Sequence, residues 1–382
     1  MNTEKEKEKE NKTSIPSSKI KNESECTIGD ICSRFSSGKG ITAERISHTG
    51  EYPVYGGNGI RGYTDSYNFE GQCVVIGRQG ANCGNVKYFD GKAYMSEHAI
   101  VGITHQEHDN RYFAYKLSML NLGRFSGQAA QPGLSVAKLK TLKITMPNFN
   151  IQYRIASILS SYDRLIENNT RRIRLLEQMA ENLYKEWFVR FRFPGHENVE
   201  MVNGLPKRWE IKPLKTICEF KRGKNITSAD MCEGHYPVIS AGISSSGFHN
   251  QSNVHGVSVT MSSSGANAGY ISIHYNDIWA ADCSYISEEE TEDIFYVYEL
   301  LNNIRQVINN YQIGSAQPHV YPKDINRIKT CTPPKELRIK TNYIFSKFHK
   351  EINKLAQQNT LLTRQRDLLL PRLMSGKLEV KP

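Results

Sequence analysis

The chain has 382 residues, 38% of them hydrophobic, and a formal net charge of +10. No apolar run reaches the roughly 18 residues of a membrane-spanning helix, and the N-terminus has no apolar signal region, so we expect a cytoplasmic protein of two or three domains with no membrane segment. The eight cysteines form neither a CxxC pair nor a zinc-finger spacing with histidine, which predicts reduced thiols and no metal site.

Residues 1–25 contain six basic and six acidic side chains and almost no apolar ones, which predicts a disordered charged tail. Residues 26–150 then alternate short β-rich runs with glycine turns and are predicted to form a mixed α/β domain. The predicted strands lie within 73–77, 85–89, 98–103 and 139–147, and one helix is predicted over 110–123, ended by Gly123.

Residues 151–193 carry apolar side chains at steps of three and four, the pattern of one apolar face of a long helix. Pro194 and Gly195 are predicted to end it. A helix of roughly 37 residues is about 55 Å long, which is more than one globular domain covers, so it needs a partner. Residues 335–382 supply one, since they repeat the same apolar stripe in the same register.

We therefore predict that the two helices pack against each other in antiparallel fashion. Pro371 is predicted to end or kink the second helix near Leu370, because proline lacks an N–H donor and clashes with the preceding turn. The predicted packing residues are Ile158, Tyr162, Ile166, Leu176, Leu183, Ile344, Phe348, Ile352, Leu362 and Leu369.

Both apolar stripes have a polar interruption near the middle. The first is Asn168, Asn169 and Thr170, and the second is Gln357, Gln358 and Asn359. Polar residues at such positions either determine the register of a helix pair or lie in solvent where the pair widens, and the sequence leaves both alternatives open.

Residues 205–334 repeat the first domain. YPV recurs at 52–54 and 236–238, and GAN recurs at 80–82 and 265–267. A repeat that takes up almost half of the chain is too long for a solenoid and indicates duplication of one domain-plus-helix unit. The predicted fold is mixed α/β (α+β), with a pseudo-twofold repeat: two globular domains, at 26–150 and 194–334, separated by a pair of long antiparallel helices.

Signatures of catalysis are missing from the sequence, which contains no GxxxxGK[ST], HExxH or GxSxG motif. Gly57, Gly59 and Gly62 match GxGxxG, but the residues after them do not have a helical pattern, so a tight turn is predicted instead of a dinucleotide site. TCTPP at 330–334 lacks the following aromatic residue of an adenine methyltransferase motif. We predict no catalytic residue.

Glycine-rich polar loops occur at the same places in both copies, while their residues differ. Arg reads guanine and Gln or Asn reads adenine in the major groove, whereas Lys and Ser hold phosphates. The pattern is typical of two readers of different DNA sequences, although each side chain taken singly is also compatible with an ordinary loop. The candidates are Arg61, Arg78, Gln79, Asn82, Asn85, Arg124, Gln128 and Gln131 in the first copy, and Arg222, Lys224, Asn225, Ser263, Ser264, Asn267, Gln312, Gln317 and His319 in the second.

Four segments resemble the specificity subunits of type I restriction-modification systems, and the resemblance extends from about residue 26 to the end. The first domain departs from the pattern, since it opens with ECTIGDI and has no tryptophan like Trp209. The segments are LYKEWFVRFRFPGHENVEM at 183–201, LPKRWE at 205–210, GSAQPHVYPKDINRIK at 314–329 and LLLPRLMSGKLEV at 368–380.

The resemblance implies a DNA-reading subunit without catalysis of its own. Its two target recognition domains would each read one half of a bipartite site in double-stranded DNA, which is asymmetric because the domains differ. The helix pair would set the unread spacer and dock two methyltransferase subunits that use S-adenosylmethionine. Restriction/translocase subunits using ATP and magnesium would join the complex, and no cofactor would bind this chain.

Two other classes of protein fit parts of the sequence. A stand-alone DNA-modifying enzyme would need a cofactor loop and an Asn/Asp-Pro-Pro-aromatic motif or a cluster of metal-binding carboxylates, which we do not find. A non-catalytic coiled-coil scaffold that binds DNA would explain the helices but would leave the polar loops without a role.

Overall fold

The computed structural model describes residues 24–80, 82–127, 133–314 and 318–380. The chain divides into two compact units, one of Met1–Ile166 with Thr360–Pro382 and one of Glu167–Asn359. Each unit therefore contains one globular domain and a half of each long helix. Residues 1–23 of the predicted tail lie outside the described residues, whereas Ser24 and Glu25 already belong to a strand.

The first unit is built on a six-stranded sheet with the order β2-β7-β5-β6-β3-β4, in which β3 and β6 are parallel and the other neighbours antiparallel. A separate antiparallel pair joins β1 to β8. The strands are β1 (Ser24–Thr27), β2 (Cys32–Ser37), β3 (Tyr52–Gly56), β4 (Gly59–Thr64), β5 (Phe69–Gly77), β6 (Val86–Met95), β7 (Ala99–Thr104) and β8 (Lys143–Met146).

Strand β5 is central to this sheet because its run from Cys73 to Gly77 is buried on both faces. Helices of this unit are α1 (Ile28–Ile31), α2 (Asn110–Ser118) and α3 (Val136–Lys140). Asp109 caps α2, since its carboxylate accepts a hydrogen bond of 2.7 Å from the backbone N–H of Tyr112. The predicted end of α2 at Gly123 is wrong: the helix ends at Ser118, and Asn121 then adopts a left-handed conformation with φ 46°.

The second unit repeats this arrangement with its sheet divided in two, in the orders β12-β18-β15-β16 and β14-β13-β17. The pair β11 and β19 is antiparallel, as is the pair β9 and β10. The strands are β9 (Met201–Val202), β10 (Leu205–Pro206), β11 (Glu210–Pro213), β12 (Lys221–Arg222), β13 (Tyr236–Ile239), β14 (Gly247–His249), β15 (Ser258–Ser262), β16 (Ile271–His274), β17 (Trp279–Ala280), β18 (Cys283–Ser287) and β19 (Lys329–Thr332), and the helices are α5 (Ile294–Asn303), α6 (Arg305–Asn309) and α7 (Pro322–Ile325).

The backbone pairing confirms the duplication. Ser24 pairs with Met146 in the first unit, and Glu210 pairs with Thr332 in the second. The separation along the chain from Ser24 to Glu210 equals that from Met146 to Thr332, so the second pair is the repeat of the first. The Asn68 side chain exchanges two hydrogen bonds with the Met95 backbone. The Asn253 side chain makes the same two bonds with the backbone of Ala280.

The two long helices are α4 (Phe149–Tyr184) and α8 (Lys335–Met374), and parts of both contribute to the core of each unit. In the first unit Leu159 of α4 lies in one core with Leu373 of α8. In the second unit Ala180 of α4 shares a core with Phe345 of α8. Contacts from Asn169 to Gln358 at 3.5 Å and from Arg172 to Glu351 at 2.8 Å show that the helices are antiparallel within this unit.

The polar interruptions meet each other in the second unit. Besides the contact of Asn169 with Gln358, the Asn359 amide donates to the Thr170 hydroxyl at 3.2 Å. Asn169 is only 7% exposed. The contacts of Asn169, Thr170 and Asn359 therefore agree with a role in the register of the helix pair, whereas Asn168, Gln357 and Gln358 are exposed, as the other alternative predicts.

The predicted packing residues of the two long helices differ in how deeply their side chains are buried. Ile352 is buried, and Leu183, Phe348 and Leu369 are partly buried against the cores. Ile158 is exposed. Apolar residues at steps of three and four are compatible with either of two adjacent faces of the helix. The next residue, Leu159, occupies the face that packs against the core, and Ile158 therefore lies on the solvent side. The half-buried members are Tyr162, Ile166, Leu176, Ile344 and Leu362.

Both predicted helix ends need correction. Helix α4 ends at Tyr184, before Pro194, and a π-helical turn (Lys185–Val189) follows. The aromatic side chains after it surround Trp209, and Phe193 stacks on that indole at 5.4 Å between ring centroids. Helix α8 continues past Pro371 to Met374, so the predicted end near Leu370 is wrong, whereas the alternative of a kink there stays a prediction. Pro371 has no N–H to donate, and only the residues from Arg372 to Met374 follow it in the helix.

The contrast between Leu159 and Leu165 on α4 gives a stability prediction. Leu159 is completely buried and Leu165 is 52% exposed. We expect Leu159→Ala to lower the free energy of unfolding by about 2–5 kcal/mol, since it leaves a cavity, and Leu165→Ala to lower it by less than about 0.5 kcal/mol. Urea unfolding followed by circular dichroism measures both, and equal effects would contradict the helix packing described above.

Candidate nucleic-acid interface

Three loops of the first unit come together beside the ends of β3, β5 and β6. We call them loop cluster 1, and they comprise 56–61, 78–80 with 82–85, and 122–127. A side chain at Gly57 would collide with the carbonyl oxygen of Gln79. One at Gly84, whose φ is +90°, would collide with the backbone of Gly123. Glycine therefore lets these backbones approach closely.

Loop cluster 1 contains the three arginines Arg61, Arg78 and Arg124. Arg61 is exposed on β4 with its aliphatic stem beside Gly56, and the exposed Arg124 holds its guanidinium 4.7 Å from the centroid of its neighbour Phe125. Arg78 is half-buried and donates to the backbone carbonyl of Glu97 at 3.4 Å. The two exposed arginines are therefore better placed for an outside partner than Arg78.

The remaining candidates of the first unit differ in how they are held. The Gln79 Oε1 atom lies 2.6 Å from Nδ1 of His98, which ties this side chain to the turn before β7. Asn82 and Asn85 are exposed. Gln128 and Gln131 lie outside the described residues.

Loop cluster 2 consists of the equivalent loops of the second unit, 240–246, 262–269, 311–314 and 318–321, together with 221–225, which has no counterpart in loop cluster 1. Direct hydrogen bonds join several of its loops. The Ser262 hydroxyl donates to the carbonyl of Ala241 at 2.8 Å. The N–H of Gly265 donates to the carbonyl of Pro318 at 3.0 Å, and that of Val320 donates to Ser263 at 3.0 Å.

Two candidates of the second unit are bonded within the protein. The Ser264 hydroxyl is buried and donates to the Asp282 carboxylate at 2.6 Å, and the Gln312 amide donates to the backbone carbonyl of Ala268 at 2.9 Å. His319 is half-buried and stacks on Tyr321 with 6.1 Å between centroids. Arg222, Lys224 and Asn225 are exposed, Ser263 and Asn267 are half-buried, and Gln317 lies outside the described residues.

The two loop clusters share one backbone frame. A backbone bridge joins Gln79 to Gly133 in the first unit, and its counterpart joins Ser264 to His319 in the second. A side-chain pair also recurs: Gln79 with His98 becomes Ser264 with Asp282. The frame is the same in both units while the polar groups on it differ.

Sequence reasoning missed polar side chains that lie on strands or before them. His98 and Asp282 were missed because they pair with loop residues far along the chain. Lys87 on β6 and His274 on β16 were missed because both lie on strands. The sequence of such segments was interpreted from its apolar residues, and the polar residues between them were not considered as candidates. An alignment of the two copies along these strands would have matched Lys87 with Ser272 and shown that a cation in the first copy is replaced by a hydroxyl in the second.

Within the described ranges no helix is long and apolar enough to cross a membrane. Over the same ranges, no group of three or more His, Cys, Asp or Glu side chains comes together as a metal site.

Comparison with known proteins decides the family. Residues 21–178 and 206–363 each match the type I restriction modification DNA specificity domain. The chain belongs to this family. It is a DNA-specificity subunit with two recognition domains, and the two matched segments correspond to the duplicated halves of the sequence.

Named relatives are also specificity subunits. The Escherichia coli type I restriction enzyme EcoprrI specificity subunit is 38% identical over 160 residues, which are 41% of this chain and 40% of that protein. A putative type I specificity subunit of Mycoplasma genitalium is 26% identical over 95% of this chain and 97% of its own length. The crystal structure of a type I S subunit from M. genitalium has a TM-score of 0.69 at 21% identity, covering 92% of this chain and 96% of that one, and shows a shared fold.

Proposed function

We propose that each domain of this specificity subunit reads one half of an asymmetric bipartite site in double-stranded DNA. The observation that carries the proposal is the shared backbone frame of the two loop clusters with different polar groups on it. Gln79 and His98 stand in one domain where Ser264 and Asp282 stand in the other. Domains built alike but with different side chains present different hydrogen-bonding groups to base edges, so the half-sites differ.

Exposed cations supply the sequence-independent part of this binding. Arg61 and Arg124 in the first domain, and Arg222 and Lys224 in the second, are exposed at the loop clusters. Cations at such positions neutralise phosphates and position the protein on the duplex. Amide and hydroxyl groups between them supply direct contacts with bases.

The helix pair is proposed to set the length of the unread spacer and to dock two methyltransferase subunits. Leucines on both long helices support a docking role, because Leu165, Leu175, Leu361 and Leu368 are each more than half exposed. Restriction/translocase subunits would join the same complex in the cytoplasm. S-adenosylmethionine, ATP and magnesium are proposed to bind those partners, and this chain is proposed to be non-catalytic.

Methylation with purified components tests the assignment. The chain mixed with the methyltransferase subunits of its own system should direct adenine methylation to one bipartite sequence. The chain alone, given S-adenosylmethionine, should transfer no methyl group to the same DNA. Methylation by the chain alone would show a stand-alone enzyme, and unselective binding with no directed methylation would show a scaffold.

A further inference from the structure

The second domain contains a cavity of about 240 Å³ inside loop cluster 2. It lies under the turn 240–246 and above β15 and β16. The hydrogen bond from Ser262 to Ala241 closes one side of it. Its polar lining consists mainly of hydroxyls and one imidazole, from Thr260, Ser262, Tyr270, Ser272 and His274.

The lining of this cavity is uncharged. Among the described residues that line it, none is Lys, Arg, Asp or Glu. Burial lowers the pKa of His274 to about 4, so its imidazole is neutral at physiological pH. Nε2 of His274 lies 2.8 Å from the Thr260 hydroxyl. A phosphate would find no cation among these described residues, whereas a neutral group that both donates and accepts hydrogen bonds would find partners of both kinds.

The first domain has a smaller cavity of about 60 Å³ at the equivalent place, under the turn that follows β3. Its lining corresponds to that of the larger cavity when the two copies are aligned, with Tyr55 at the place of Ile239 and Val75 at the place of Thr260. The informative difference is Lys87, which takes the place of Ser272 and brings an ammonium group to the cavity.

We propose that these two equivalent cavities select one base in each half-site. The cavity of the second domain takes a base edge with one donor and one acceptor, as adenine presents through N6 and N7 in the major groove. In the first domain Lys87 donates to an edge with two acceptors, as guanine presents through O6 and N7. The inference rests on the proposed reading of half-sites by the two domains and adds the residues that choose the base.

The position of the cavities supports this role. In the second domain, Ser262 lines the cavity and is followed directly by Ser263 and Ser264 of the same loop. In the first domain, Asn85 and Gly57 line the cavity, and Gly57 packs against the Gln79 carbonyl. Each cavity therefore lies beside the glycine-rich polar loops that recur in both copies.

Selection of bound duplexes from a randomised library tests the inference. The complex of the full chain with its methyltransferase subunits is used, carrying Ser272→Ala, His274→Gln or Lys87→Ser. We expect the first two variants to lose roughly tenfold to hundredfold discrimination at one base pair of one half-site. Lys87→Ser is expected to do the same in the other half-site only.

His255→Gln is the matched control, because His255 is an exposed histidine of the same domain that does not line the cavity. It should leave both half-sites unchanged. Ser272→Ala removes a single hydroxyl, and its melting temperature is measured so that a folding defect is recognised. If the wild-type complex selects two half-sites and Ser272→Ala and Lys87→Ser, both folded, alter neither, the cavity inference is overturned while the proposed function stands. If the wild-type complex selects no sequence, the proposed function itself fails.

Discussion

Exchanging residues 26–150 for the corresponding domain of another specificity subunit is expected to replace one half-site of the recognised sequence and leave the other unchanged. The physical reason is that loop cluster 1 draws all of its residues from this segment. The foreign domain must still fit the parts of α4 and α8 in the same unit, where Leu159 and Leu373 contribute to the core. Methylome sequencing of cells carrying the chimaera would show the new site.

The reciprocal exchange, of residues 194–334, is the control for this experiment. It should change the other half-site and preserve the one that the first exchange altered. A chimaera that folds and methylates but changes both half-sites would contradict independent reading by the two domains.

A second large effect is expected from lengthening both long helices by one heptad. Seven residues at about 1.5 Å each add about 10.5 Å, which corresponds to about three base pairs of B-DNA. The spacer between the half-sites should therefore grow by about three base pairs while the half-sites remain the same. The insertions belong beside the contacts of Asn169 with Gln358 and Thr170 with Asn359, so that apolar positions on either side keep their faces.

A heptad inserted in only one helix serves as the control. It would displace the polar contacts of one helix relative to the other and should lower the melting temperature without yielding a new defined spacer. If the double insertion folds and directs methylation to sites with the original spacer, the helix pair does not determine spacer length.

Much of the fold could be predicted from the sequence because the relevant signals are local or repeated. A stripe at steps of three and four identified α4 and α8, and the recurrence of YPV and GAN identified the duplicated unit. Helix ends were harder to predict. Proline and glycine mark where a helix must stop, but α4 stops earlier, where its aromatic residues turn to surround Trp209.

The candidate site was only partly accessible from the sequence. Loop composition indicated where polar groups gather, and the exposed Arg61, Arg124 and Arg222 agree with that indication. It could not show that the Gln312 side chain bonds to the backbone of Ala268, which lies far from it in the chain. Nor could it show that Lys87 on a strand reaches the same cavity as Asn85.

The sequence by itself determined that one domain-plus-helix unit occurs twice, because helix periodicity and internal repetition are properties of residue order. Only the tertiary structure decided which polar side chains are bonded within the protein and which are exposed, as with Ser264 bonded to Asp282 and Arg222 exposed. The physical reason is that a hydrogen bond is satisfied by whichever group the fold brings within about 3 Å, and that neighbour need not be close in the chain.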